Sequence, residues 1–206
     1  MLPLFPLPDV TFFPSTFMPL HVFEARYRAL VTDALARDRR LAVVKLKPGF
    51  EKDYDGRPAV HAVAGAGEIV NWERLSTGRY NIVVKGEHRV RFEHELPADT
   101  LYRLARARVL EEEPATADVT AVVERVRAAC QRLLRVLERP ADVMETALAA
   151  SQPPGVIADR AAAAFLPDPT LRQSLLETLD VSARLDGVSA ALDRLLEELE
   201  GQRGNA

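Results

Sequence analysis

The first part of the chain combines large apolar side chains with a density of prolines that excludes a long helix. Five prolines fall within the first 19 residues, namely Pro3, Pro6, Pro8, Pro14 and Pro19. Proline lacks the backbone N–H and fixes φ, and it restricts β-strands to short segments or sheet edges. An apolar segment of this kind must still be buried. We therefore expect it to be part of a small β-rich unit from its first residues.

A helix is predicted directly after this segment, from Glu24 to Asp38. Its apolar residues recur at the spacing of one helix face: Tyr27, Leu30, Val31, Ala34 and Leu35. The segment Leu41–Leu46 is typical of a short buried strand.

The region from Ala59 to Glu111 has a strand pattern throughout. The predicted strands are Val60–Val63, Glu68–Arg74, Tyr80–Lys85, Arg89–Glu93 and Tyr102–Val109. Gly65 and Gly67 indicate a bulge or a close backbone approach, Ser76–Gly78 a hairpin loop, and Gly86 a second bend. Such short connections favour antiparallel neighbours and a twisted, partly closed sheet.

Beyond Pro114 the composition shifts to Ala, Leu, Arg and Glu, which indicates helices. Five are predicted: Val119–Leu137, Asp142–Ala150, Val156–Phe165, Leu171–Asp180 and Val181–Leu199. Their apolar stripes can cover one another. The sequence therefore predicts two packing units, residues 1–113 and 114–206.

The composition narrows the class of protein. A hydrophobic content of 48% is enough for a sizeable core, and a net charge of −3 gives no general attraction to nucleic acid or to a membrane surface. The single cysteine excludes an internal disulfide. No apolar run is long enough for a membrane span, and prolines interrupt any signal-peptide pattern. We expect a cytoplasmic location.

No group of residues predicts a catalytic, cofactor-binding or metal-binding site. The four histidines lack the spacing of metal ligands, and His21 is expected to pack or cap at the start of the first helix. Cys130 lies on an apolar helix face, where a thiol behaves as a small hydrophobic group. Glu111–Glu113 is typical of a solvated charge run, and Gly65–Gly67 is not followed by a helix, as a dinucleotide loop would be.

Several motifs together resemble one known family, the Lon protease N-terminal substrate-binding domain in its stand-alone bacterial form. They are Leu2-Pro3-Leu4-Phe5-Pro6, Phe13-Pro14, Pro19-Leu20-His21-Val22-Phe23-Glu24, Arg26-Tyr27, Gly67-Glu68-Ile69, the hairpin Gly78–Gly86, Arg89-Val90-Arg91-Phe92, and Leu175–Leu185. The resemblance covers nearly the whole chain and is most specific up to about residue 92.

The resemblance implies an α+β fold: a PUA-like pseudo-barrel of mainly antiparallel strands, followed by a C-terminal helical bundle. It also implies a protein that binds polypeptide substrates or partner proteins and is not an enzyme. The phosphate-binding loop of an ATPase is absent, and the chain is too short for the Ser–Lys proteolytic domain.

Five apolar residues are the candidates for contact with a partner: Phe12, Phe17, Met18, Phe50 and Tyr54. The segment around the loop Ser15–Met18 can leave a binding patch exposed, which Phe50 and Tyr54 in the next loop can extend, or these side chains can plug the end of the barrel. A proline-containing edge strand can also pair with an extended peptide. The alternatives are RNA binding through a PUA-like barrel, for which the basic and aromatic pattern is absent, and a small hydrolase of unrecognised geometry.

Overall fold

The computed structural model describes residues 1–54, 56–97, 99–140 and 146–203. Its contacts divide the chain into two compact units, Met1–Leu110 and Glu111–Ala206, which we call the β unit and the helical unit. The division falls just before the predicted one. Glu113 belongs to the helical unit because its backbone exchanges hydrogen bonds with Leu179 and Val181.

The part of the β unit that the structure describes contains six strands and one α-helix. The elements are β1 (Leu2–Leu7), β2 (Phe17–Val22), α1 (Ala25–Leu35), β3 (Arg40–Lys45), a 3-10 turn (Phe50–Asp53), β4 (Val63–Arg74), β5 (Tyr80–Leu96) and β6 (Arg103–Leu110). The strand order is β2-β5-β4-β3-β1-β6, and β6 also pairs with β5. Five strands therefore form a closed cycle of pairings. All neighbours are antiparallel except β1 and β3.

The strand β5 is longer than the sequence predicted. We expected two strands with a bend at Gly86, and that prediction is wrong because the chain continues as one strand of 17 residues. One side of β5 pairs with β4, while the other pairs with β2 over its first half and with β6 over its second half.

The prolines of β1 lie where the strand has a partner on one side only. Pairing with β6 covers Leu2–Leu4, and pairing with β3 covers Leu4–Leu7. Pro3 thus lies beside β6 alone and Pro6 beside β3 alone. A missing N–H is tolerated in such places, which is how a short strand with two prolines occupies an internal position.

Two glycines allow the proline-rich segment to cross the sheet. A Cβ atom at Gly65 would overlap the carbonyl oxygen of Phe12, and one at Gly86 would overlap that of Phe13. Gly86 therefore provides a close approach instead of a bend. Gly67 was expected to mark a bulge or a close backbone approach, and it marks both. The register of β4 shifts beside it, and a Cβ atom there would overlap the backbone of Lys85.

The helix α1 packs its predicted face into the core of the β unit. Tyr27, Leu30, Val31 and Ala34 are buried, and the Tyr27 ring stacks on Phe5 with centroids 4.2 Å apart. The Tyr27 hydroxyl donates to the carbonyl oxygen of Pro6 at 3.1 Å. This contact joins α1 to β1.

The helical unit contains α2 (Thr120–Val136), α3 (Pro154–Phe165), α4 (Pro169–Glu177) and α5 (Val181–Arg203). Four of the five predicted helices are present, and much of the predicted helix Asp142–Ala150 lies outside the described residues. No described helix has the length and apolarity needed to span a membrane.

A buried arginine connects three segments of the helical unit. The Arg184 side chain is 1% exposed and lies 3.2 Å from the Asp159 carboxylate, which is 2% exposed. Arg184 also donates to the carbonyl oxygen of Thr178 and pairs with Glu112. Glu112 is thus not simply part of a solvated charge run, as we had expected.

We predict that Gly65→Ala lowers the free energy of unfolding by about 2–3 kcal/mol, because the added methyl group forces two backbone segments apart. Urea denaturation followed by circular dichroism measures this. Gly201→Ala, where the new Cβ meets nothing within 4 Å, is the control and changes stability by less than about 1 kcal/mol. Equal effects would contradict the role of Gly65.

We predict that Arg184→Met costs about 3–5 kcal/mol, because it leaves the Asp159 carboxylate buried without its cation. The double variant Arg184→Met/Asp159→Leu should recover at least half of that loss, since no buried charge remains. Additive losses in denaturation experiments would mean that the two side chains do not act as a pair.

Candidate functional site

The strand β2 is the free edge of the described sheet and has two different faces. Its inward residues lie opposite core residues of β5, with Met18 beside Val84, Leu20 beside Ile82 and Val22 beside Tyr80. Because side chains alternate along a strand, Phe17, Pro19 and His21 lie on the outer face. Phe17 is 63% exposed, and Phe23, just after the strand, is 59% exposed. We call Phe17, Pro19, His21 and Phe23 the edge patch.

An open groove of about 410 Å³ lies beside the edge patch on the same face of the sheet. It is lined by Pro19, Leu20, His21, Asn71, Glu73, Asn81, Ile82 and Val83. Its polar groups come from three adjacent strands. The surface therefore combines exposed aromatic rings with a small number of hydrogen-bonding groups, a combination typical of sites that bind polypeptide.

Hydrogen bonds fix the imidazole ring within the edge patch. His21 Nδ1 lies 2.7 Å from Asn81 Oδ1, and Asn81 Nδ2 donates to Glu73 Oε2 at 3.2 Å. Because the amide nitrogen of Asn81 faces Glu73, its oxygen faces His21, so Nδ1 is the protonated nitrogen that donates. The ring stacks beside Phe23 with centroids 6.3 Å apart. His21 is therefore part of a surface, and the prediction that it packs or caps at the helix start is wrong.

The backbone of β2 is a poor template for an added strand. Gly86 N donates to Thr16 O at 2.8 Å, and hydrogen bonding alternates along an antiparallel pair. The backbone groups of Phe17, Pro19 and His21 consequently face away from β5. Pro19 has no N–H to donate, which blunts the edge against pairing. The outer edge of β2 therefore offers side chains, more than backbone groups, for contact with another molecule.

The structure separates the five residues predicted to contact a partner. Phe12 is 1% exposed and belongs to the core of the β unit, so it is not part of a surface. Met18 lies on the inner face of β2 and packs against that core. Only Phe17 extends outward from this segment, and the predicted loop Ser15–Met18 is replaced by a strand from Phe17 onward.

Phe50 and Tyr54 form a second cluster, held near the start of α1. Their rings are 6.1 Å apart. The Arg26 guanidinium lies over both the Tyr27 ring, at 4.7 Å, and the Tyr54 ring, at 5.0 Å. Burial is the main cause that raises the pKa of Tyr54, and the hydrogen bond between its hydroxyl and Glu24 raises it further. These contacts hold Tyr54 and the loop around it in place.

Three residues of the edge patch, Pro19, His21 and Phe23, were not predicted from the sequence as surface residues. The alternation that indicates a strand is present in the sequence, since Met18, Leu20 and Val22 occupy the positions of its buried side chains. A loop was predicted instead because Pro14 and Pro19 disfavour a strand.

No group of three or more His, Cys, Asp or Glu side chains that could hold a metal ion occurs within the described ranges. Cys130 is fully buried on α2, and burial raises the pKa of its thiol to about 12. Among the basic residues near β6, Arg103 pairs with Glu95, and Arg106 lies 3.3 Å from Glu93.

The family follows from the comparison with known sequences. The model of the ATP-dependent protease La (LON) substrate-binding domain matches residues 1–194. The chain belongs to this family. Among curated relatives, it is 31% identical over 198 residues to Lon protease of Roseiflexus castenholzii and 24% identical over 198 residues to Lon protease of Desulfosudis oleivorans.

The chain corresponds to one part of those relatives. The two alignments cover 94% and 96% of this chain but 24% of each relative, so the chain spans about a quarter of their length. Two solved structures show the Lon N-terminal domain fold. The N-terminal domain of Mycobacterium avium complex Lon protease has a TM-score of 0.75 at 19% identity, covering 93% of this chain and 97% of that one. A Lon N-terminal domain protein from Xanthomonas campestris has a TM-score of 0.66 at 21% identity, covering 92% and 96%.

We predict that Cys130 of the folded protein resists thiol reagents. With a pKa of about 12, only about one thiol in ten thousand is ionised at pH 8, and the helix also shields it. Labelling with Ellman's reagent should be slow in buffer and fast in urea, with one thiol per chain. Rapid labelling of the folded protein would show that the side chain is accessible.

Proposed function

We propose that this protein is a non-catalytic, cytoplasmic module that binds polypeptide through the edge patch. The observation that carries the proposal is the exposure of Phe17 on β2 and of Phe23 directly after it, at an edge strand whose inner face packs against the core. Exposed apolar surface costs solubility, and on a folded domain it often marks a binding site. The Lon substrate-binding family provides the matching class of ligand, an unfolded chain or a partner protein.

The edge patch suits a ligand without a fixed sequence. Aromatic rings provide contact area with few rotatable bonds, and the His21–Asn81–Glu73 hydrogen bonds keep one polar ring in place between them. The proline at the edge discourages pairing with other strands, including a second copy of this chain. Such a surface can accept apolar side chains of many sequences without promoting aggregation.

We also propose that the β unit is a PUA-like pseudo-barrel. The closed cycle of five paired strands supports the PUA-like pseudo-barrel type, with binding carried by the β unit. The residues 114–206 then form a helical subdomain. The comparisons give no support to the RNA-binding alternative.

The test is binding of an uncharged, unfolded probe: a short labelled peptide of Leu and Phe in a Gly/Ser background, followed by fluorescence anisotropy. We expect Phe17→Ser and Phe23→Ser each to weaken binding about 5–10-fold, because each removes a large part of the apolar contact. Neither side chain is buried, so unfolding curves should stay within about 0.5 kcal/mol of wild type.

Leu101→Ser provides the matched control, since Leu101 is 71% exposed and precedes β6. It should bind the peptide as wild type does. If all three variants lose affinity equally, binding follows general surface hydrophobicity. If wild type binds no peptide at micromolar concentration, the proposed function is wrong.

A further inference from the structure

Two arginines lie directly opposite each other on adjacent strands. Arg91 of β5 pairs in register with Arg108 of β6, and both side chains are exposed. Directly opposed residues of an antiparallel pair share a face, with Cβ atoms about 5 Å apart. Like charges at this distance destabilise the sheet. The fold thus keeps an unfavourable pair at a position where many other residues would be tolerated.

Neither guanidinium has a carboxylate partner in the part of the chain that the structure describes. Their neighbours differ in this respect. Arg103, farther along β6, pairs with Glu95, and Arg106 pairs with Glu93. The two arginines that are left form a local concentration of positive charge on a chain whose net charge is −3.

The geometry of the pair suits a carboxylate. A guanidinium presents a planar fork of donors that matches the two oxygens of a carboxylate, and such bonds are stronger than those between neutral groups. An anion bound between Arg91 and Arg108 would also cancel their mutual repulsion. Binding and relief of repulsion then act in the same direction.

We propose that Arg91 and Arg108 form an anion site that binds an Asp- or Glu-bearing stretch of the bound polypeptide. The inference rests on the proposed function and adds a charge preference to it. The site lies on the second half of β5, about 25 Å along the strand from Val83 at about 3.3 Å per residue. The register of β5 shifts beside Gly86, and Val84 and Val90 face different core clusters, so the arginine pair lies on the face of β5 opposite to the edge patch. The acidic stretch is therefore a different part of the polypeptide from the apolar part that contacts the edge patch.

The observations favour carboxylates of a polypeptide over phosphates of RNA. Two unpaired guanidinium groups flanked by the Glu93 carboxylate can neutralise few phosphates, whereas nucleic-acid affinity grows with the number neutralised. Phe92, the nearest aromatic residue in β5, faces the core, so the described strand β5 offers no ring beside the pair for base stacking.

The experiment uses the full chain and four labelled probes: a short Gly/Ser peptide with several Glu residues, the same peptide with Gln, a mixed-sequence single-stranded RNA, and the uncharged Leu/Phe peptide. We expect the Glu peptide to bind, and Arg91→Gln and Arg108→Gln each to weaken it about 3–10-fold. Arg91→Lys should lose about 2–3-fold, because the charge remains and the fork is lost. Arg125→Gln, at an exposed position of α2, is the control with the same change of charge and should bind as wild type does.

Thermal unfolding gives a second, independent readout. Removing either charge relieves the repulsion, so Arg91→Gln and Arg108→Gln should raise the melting temperature by about 1–3 °C, while Arg125→Gln should not. A loss of affinity accompanied by a gain in stability is the signature of the proposed site.

The outcomes separate this inference from the proposed function. Equal binding of the Glu and Gln peptides, or no effect of either arginine variant, would overturn the anion site even if the Leu/Phe peptide binds. Failure of the Leu/Phe peptide alone would overturn the proposed function and leave the arginine-dependent site in place. Tighter binding of RNA than of the Glu peptide, with the same dependence on both arginines, would overturn the choice of ligand.

Discussion

The β unit depends on one constraint: a single long strand, β5, must form backbone hydrogen bonds with three other strands. β5 pairs with β4 on one side and gives the two halves of its other side to β2 and β6. This arrangement closes the cycle of strands and also places β2 outside it, as an edge. It requires close backbone approaches, which Gly65 and Gly86 allow by having no side chain. The proline-rich segment crosses at those glycines and then enters β2.

Features determined by local periodicity could be predicted from the sequence. The buried face of α1 and four of the helices follow from spacing alone, and the family follows from short motifs spread along the chain. The continuity of β5 could not be predicted, because a glycine inside a strand indicates either a bend or a close approach. At Gly86 the strand continues because the carbonyl oxygen of Phe13 approaches it closely, and Phe13 lies far away in sequence.

The candidate site was predicted in part. Phe17 was identified, but Phe12 and Met18 were grouped with it although they belong to the core. Which apolar residue of such a segment faces outward depends on where the strand begins, and that is fixed by pairing with β5, more than sixty residues away. For the same reason His21 was assigned to the helix start, and its partner Asn81 could not be recognised.

The proposed function requires that the outer face of β2 contacts polypeptide. NMR mapping of the full chain during titration with the uncharged Leu/Phe peptide tests this most directly. If β2 contacts the peptide, the ring signals of Phe17, His21 and Phe23 will shift with peptide concentration, with little change at Phe50 and Tyr54. Shifts confined to Phe50, Tyr54 and their loop, with none along β2, would contradict it.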